Sequence, residues 1–236
     1  MGGQDKNQQL PKPPAVVIPE APTPIKPIGP HTVKGCDVSY AQGQVDWAAK
    51  KASGYEFAFC KASEGLTLVD KQFARNWVEA PKAGLMVGAY HFYRPTLDAL
   101  TQAHHFCQTV GPKRPKDLPP MLDLEAGFLP ESSPDFFKLV KANAEAIKKG
   151  ALIWLEFVEK TYGKSPIFYS YPAYLECLGD LSQFERFPLN IANPGASKPH
   201  VFKPWPTWTF WQYSWKPFDQ DLFNGPMEQL KKLTLG

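Results

Sequence analysis

Residues 56–92 read EFAFCKASEGLTLVDKQFARNWVEAPKAGLMVGAYHF. An apolar run suited to a buried strand (56–62) is followed by a helical stretch from Lys71 to Lys82 and a second apolar run (85–92). Asp70 stands where an N-cap belongs, since a carboxylate there accepts from the free N–H groups of the first turn. Strands alternating with helices imply a parallel sheet with the helices on its face. Strand-like runs recur at 33–39 (VKGCDVS), 119–125 (PPMLDLE), 166–170 (PIFYS), 189–193 (LNIAN) and 207–213 (TWTFWQY). Helical stretches run from Val45 to Ala52, from Leu97 to Val110 and from Asp135 to Tyr162, the last long enough for one helix or for two joined near Gly150. After Tyr162 the helices shorten and strands dominate. The predicted fold is α/β: a modified, irregular (β/α) TIM-like barrel with helices between the early strands and a strand-rich C-terminal part. In such barrels the chemistry sits where strands end and loops begin.

The chain has 236 residues, 43% of them hydrophobic, enough to bury one large core. Residues 11–30, PKPPAVVIPEAPTPIKPIGP, lie outside that pattern. Proline fixes φ and disfavours helix in the residue before it, so residues 1–32 read as a disordered, polyproline-like tether and residues 33–236 as the barrel. The formal charge of +3 favours a polyanionic surface only mildly and, without a basic stripe, argues against nucleic acid. No apolar run reaches eighteen residues, so no membrane-spanning helix is expected. The opening MGGQDKNQQ lacks the regions of a signal peptide and reads as a start that follows a removed leader. Cys36, Cys60, Cys107 and Cys177 form no metal-ligand spacing. Their even number permits two disulfides in three pairings, but their apolar surroundings favour buried thiols. Aromatic residues make up 14%, mostly a matter of packing, with some free to line a carbohydrate cleft.

The chemistry concentrates in MLDLE, residues 121–125. Positions i and i+2 on a strand face the same way, so Asp123 and Glu125 project together if that face is the barrel interior. Neighbouring carboxylates repel, and one holds its proton nearer neutral pH. Glycoside hydrolysis needs that combination: an acid for the leaving oxygen and an anion to stabilise positive charge at the anomeric carbon. Alone, an Asp-x-Glu pair is more often surface charge. Asp37, in GCDVSYAQG, ends another strand, and Asp219 and Asp221 lie in FDQDLFNG near the close of the last strand region. Acids at three strand ends converge only if the sheet closes, and for Asp221, just before Asn224-Gly225, turn chemistry is an equal alternative.

Several motifs in order now resemble one family. GCDVSYAQGQVDW, FAFCKASEG, GAYHFY, MLDLE, IFYSYPAYL, WQYS and FNG are similar to glycoside hydrolase family 25 lysozymes (Chalaropsis-type N-acetylmuramidases), over residues 33 to 228. The resemblance implies a secreted or periplasmic, monomeric muramidase that cleaves the β-1,4 bond between N-acetylmuramic acid and N-acetylglucosamine in peptidoglycan with retention; with no metal-ligand cluster in the sequence, no metal or cofactor is expected. It assigns Glu125 as general acid/base, Asp123 as partner carboxylate, Asp37 to the floor and, with FNG aligned, Asp219 as the late Asp. Tyr90, Tyr169, Trp211 and Gln212 match cleft-lining positions. Tyr40 is a further candidate for substrate contact, and Glu64 is either a cleft residue or a salt-bridge partner.

One departure stands out. Where the family carries Leu-Trp-Ile-Ala, this chain has Leu189-Asn190-Ile191-Ala192, which predicts a lost packing or sugar-stacking surface and a cleft retuned for a modified, de-N-acetylated glycan. Competing readings are weaker. An inactive binding barrel would have a broken acid set, whereas all four acids are present. A chitinase-like DxxDxDxE run is missing, and His91, His104 and His105 come without a GxSxG elbow; His104 and His105 fall inside a helical stretch and read as structural.

Overall fold

The computed structural model describes residues 32–234. Nearly all of the proline-rich segment, residues 1–31, lies outside the described residues, and so does the tether expected there. Nine strands form in chain order: β1 (Val33–Val38), β2 (Phe57–Glu64), β3 (Leu68–Val69), β4 (Met86–Phe92), β5 (Met121–Asp123), β6 (Ile167–Ser170), β7 (Leu189–Ala192), β8 (Phe210–Ser214) and β9 (Gln220–Phe223). β3 is a short antiparallel flap on β2. The other eight close a ring in the order β1-β9-β8-β7-β6-β5-β4-β2, sealed where β2 pairs in parallel with β1. Only β9 runs against both of its neighbours in that ring.

Alternation along each strand divides the residues into two sets. Phe57, Phe59, Met121, Ile167, Phe210 and Phe223 fill the barrel interior as one cluster. Glycine makes room for them: a Cβ at Gly35 or Gly88 would collide with the ring of Phe57 or Phe59. The opposite faces of the same strands, with Cys36, Ala58, Cys60, Val87 and Leu122, pack outward against helices α1 (Trp47–Ala52), α2 (Phe73–Lys82), α3 (Ala99–Val110), α4 (Phe136–Ala142), α5 (Ala144–Tyr162) and α6 (Pro172–Leu178). Trp154 of α5 is fully buried there, stacked on His91. His91 bonds Ser63 Oγ through Nδ1 at 2.8 Å and Gln102 Oε1 through Nε2 at 3.2 Å. Burial pushes its pKa down to about 3, so the ring is neutral and structural. A final helix, α7 (Met227–Lys232), follows β9.

The α/β barrel is as predicted, helical early and strand-rich after α6. Several local expectations change. Asp70 does not cap α2: its carboxylate accepts from Tyr40 N at 2.8 Å and Gln72 N at 2.9 Å, tying the loop after β1 to the approach of the helix. Gly150 is not a joint but an interior position of α5, packed against the hydroxyl of Tyr93; the break falls at Asn143. The run at 207–213 becomes strand only from Phe210. Residues 220–223, which carry Asp221 between Asp219 and the Asn224-Gly225 turn signal, form a strand of their own. All four cysteines are free thiols, Cys36 and Cys60 buried and Cys107 and Cys177 half-buried.

Candidate active site

The end of β5 sets the site. Glu125 lies two residues beyond the strand, yet the chain stays extended because its outer side is pinned. Leu124 N–H donates to Tyr169 O (3.0 Å), Ser170 Oγ donates to Leu124 O (2.7 Å), and Tyr174 OH donates to Ala126 O (2.8 Å). With Leu124 buried outward, Asp123 and Glu125 both turn inward. They line a cavity of about 160 Å3 together with Asp37, Lys61, Tyr90, Tyr169, Gln212 and Asp219. Glu125, Tyr169, Gln212 and Asp219 also line a second, open hollow of about 550 Å3, with Glu131, Tyr171, Asn193 and Trp215. The two together make a groove deepest at the acids.

Hydrogen bonds order the far wall. Tyr169 OH donates to Gln212 Oε1 at 2.6 Å, and Gln212 Nε2 donates to Asp219 Oδ1 at 2.8 Å. Asp219 stands opposite Asp37 on the β1–β9 ladder, whose register pairs Cys36 with Gln220. Lys61, on the inner face of β2, is the one cation lining this cavity, and it is paired with Glu64 at 2.7 Å.

Burial dominates the electrostatics. It pushes Glu125 up to about 7, with Glu131 and Asp219 adding repulsion and Lys61 opposing. Burial, then the charge of Glu125, raises Asp123 well above the carboxylate range. Asp37 is raised in the same way by burial and then by Asp221, Asp219, Asp123 and Glu125. Asp219 is raised by burial, against the hydrogen bond from Gln212. Repulsion within such a set favours a proton on some members while others ionise, which supplies an acid beside an anion within one cavity.

The sequence-derived residues separate on inspection. Asp37, Asp123, Glu125, Asp219, Tyr90, Tyr169 and Gln212 converge on the cavity. Trp211, one residue before Gln212, faces the other way: it packs against the outer layer and Trp208, and its indole N–H donates to Asn193 O at 3.2 Å. Tyr40 is 57% exposed in the turn after β1 and lines neither hollow. Glu64 is the salt-bridge partner of Lys61 and Arg94, which together hold it below the usual range despite its burial. Asn190 is fully buried on the inner face, with its amide nitrogen 3.4 Å from Met121 Sδ. It therefore lies beneath the site and forms no stacking wall. Sequence reasoning passed over Lys61, Glu131, Tyr171, Asn193 and Trp215; Tyr171 and Trp215 carried a signal, each an aromatic residue just beyond a strand end.

A closed barrel with acids gathered at the strand ends, opening into a groove edged by aromatic side chains, is the architecture of a glycoside hydrolase. The model for glycosyl hydrolases family 25 matches residues 36–221, and the chain belongs to that family. It is 30% identical to Lysozyme M1 of Streptomyces globisporus, over 89% of this chain and 74% of that one. It is also 30% identical to the N,O-diacetylmuramidase of a Chalaropsis species, over 87% of this chain and all of the relative. Among solved structures, the lysozyme from Streptomyces coelicolor superposes with a TM-score of 0.78 at 29% identity, covering 86% of this chain and 97% of that one. The family 25 lysozyme from Aspergillus fumigatus gives 0.77 at 31% identity, covering 87% and 100%.

Proposed function

We propose that this glycoside hydrolase is a muramidase of bacterial peptidoglycan, cutting the β-1,4 bond between N-acetylmuramic acid and N-acetylglucosamine outside the cytoplasm. The observation that carries the reading is the position of Glu125, inward-facing where the cavity meets the groove and protonated to about pH 7. A carboxylic acid so placed protonates the leaving oxygen of a glycan lying along the groove. Asp123, one inward step deeper, is the partner carboxylate that answers charge at the anomeric carbon or at the neighbouring acetamido group. Asp37 and Asp219 add negative potential at the same centre, where an oxocarbenium-like transition state develops positive charge. Tyr90, Tyr169 and Gln212 shape the wall, and Trp215, 61% exposed, offers a sugar-stacking face.

The finer reading, a preference for de-N-acetylated glycan, draws support from charge. The groove sets five carboxyl groups, Asp37, Asp123, Glu125, Glu131 and Asp219, against Lys61 alone, and those of them that are ionised favour an ammonium over a neutral acetamido group. Release of reducing ends from native and de-N-acetylated walls, by wild type and by Glu125→Gln, tests both. The assignment predicts a loss of about 10²-fold or more in the variant; equal rates on the two walls would refute the preference. A wild type that binds both walls and cuts neither makes the chain a binding barrel.

A further inference from the structure

One acid at the centre of the barrel has no part in the mechanism above. Asp221 lies two residues below Asp219 on β9, on the same inward face, and is fully buried. The ladder pairs it with Gly35 on β1 and with Gln212 on β8. Asp37, two residues beyond Gly35, is therefore its diagonal neighbour across the β1–β9 pair, within reach of a side chain on the same face. Gly35 contributes no side chain to screen the two acids. On the other side, Asn190 of β7 comes within hydrogen-bonding reach of Asp221, as does Asp37.

The acceptor inventory at this spot is unbalanced. Both oxygens of Asp221, Oδ2 of Asp37 and Oδ1 of Asn190 are buried, and no protein donor satisfies them. A fully ionised Asp37–Asp221 pair would set two anions together, and no ion pair of the described residues involves either. One carboxyl proton, placed between the two acids, turns repulsion into a hydrogen bond. Turning the Asn190 amide over, a choice that the positions of its heavy atoms leave open, supplies an N–H to the other oxygen of Asp221.

The geometry points to Asp221 as a positioning residue: it shares one proton with Asp37 and so holds Asp37 in one orientation at the floor of the cavity, with Asn190 fixing Asp221 from behind. This rests on the glycosidase reading of the site above. The surrounding charges agree. Burial first, then Asp219, pushes Asp221 up to about 7. Cys36 on the outer face of β1 and Tyr213 on β8 also feel its charge, and both are raised by burial. From β5 and its extension, Asp123 and Glu125 act on Asp37, with Tyr90 of β4 and Tyr169 of β6 adjoining. All of these groups are acids, and the upward shift of Asp221 is opposed only by hydrogen bonding from Asp37 and Asn190, the two partners named above. Asn190, within hydrogen-bonding reach of Asp221, completes the chain Asn190–Asp221–Asp37.

Two measurements test this on the full chain. The first needs no activity: 13C-detected titration of side-chain carboxyls in wild type and Asp221→Asn. Asp221 is expected to titrate near pH 7, and Asp37 to titrate at lower pH once the second acid is an amide. Titration of Asp221 in the ordinary range near 4, or an unmoved Asp37, overturns the proposal whatever the enzyme does. The second is the pH profile of kcat/KM on peptidoglycan. If Glu125 and Asp221 must both hold protons, the alkaline limb of the logarithmic plot approaches a slope of −2 in wild type and −1 in Asp221→Asn. The amide, which still donates to Asp37, is expected to retain at least tenfold more activity than Asp221→Ala. Equal slopes, or equal losses in the two variants, reduce Asp221 to a structural acid. A wild type without activity but with the predicted titration refutes the muramidase reading and leaves the proton-sharing pair standing.

Discussion

Lys61 is the residue on which the balance of the site turns. It opposes the upward shift of both Asp123 and Glu125, while its own ammonium is anchored by Glu64. Lys61→Met is expected to push both acids further up and to move the alkaline limb of activity to higher pH, read from kcat/KM across pH 5–9. An unmoved limb would show that the ion pair with Glu64 already cancels its field. The acids themselves were legible before any coordinates, because strand periodicity places 123 beside 125. The same rule explains an error: Trp211 and Gln212 are adjacent on β8 and cannot both face the groove. Trp215 escaped the reading for a different reason. It follows the last residue of β8, where no period assigns a face. Trp215→Ala is expected to raise KM on polymeric peptidoglycan about tenfold with little change in kcat, the mark of a contact that binds ground and transition states alike.

Among the elements, the closing pair β1–β2 carries the tightest steric condition. Gly35 and Phe57 are direct partners, and the aromatic ring occupies the space a side chain at 35 would need. Gly35→Ala is expected to destabilise by about 1–3 kcal/mol, the usual range for overpacking a full core, measured by denaturant midpoint at constant m. The early strands and helices could be read from pattern because each has a long apolar period and a polar boundary. β9 could not. Its four residues, QDLF, contain two polar side chains that point either into the acid floor or along the rim, and an Asn-Gly pair follows within one residue. Only its neighbours reveal it as a strand: it pairs with β8 just before it and with β1 at the far end of the chain. The same held for the approach to α2, where Asp70 had the chemistry of a cap but was taken by a loop thirty residues away.

At the scale of the molecule, the acid floor and His91 pull stability in opposite directions with pH. Glu125 and Asp221 have folded pKa values of about 7, above those of the unfolded chain. The native state therefore binds more protons than the unfolded one between about pH 4 and 7, and stability falls as pH rises through that window. His91, lowered to about 3, does the reverse: the unfolded chain takes up its proton below about 6.5, so its contribution rises with pH from about 3 to 6.5. Asp37 and Asp123, also raised, side with Glu125, so the acids outnumber the histidine. Thermal melts are expected to give a higher Tm near pH 5 than at pH 8, and a flatter dependence in Glu125→Gln. A protein more stable at pH 8 would mean that the floor ionises far more readily than its burial implies.

The ring of strands is completed by β9, which arrives last and lies between the first strand and the eighth. During synthesis, then, a chain that has already emerged through β8 is an open, curved sheet with two unsatisfied edges, and its acid pair faces solvent across a gap. Contacts between residues near 33 and 223 must form before the groove has a floor, a separation that slows folding and leaves the sheet edges vulnerable to pairing with other chains. A chain ending after β8 lacks Asp219 and Asp221 and is expected to hydrolyse nothing, so that hydrolytic capacity would come only when the final strand slots home.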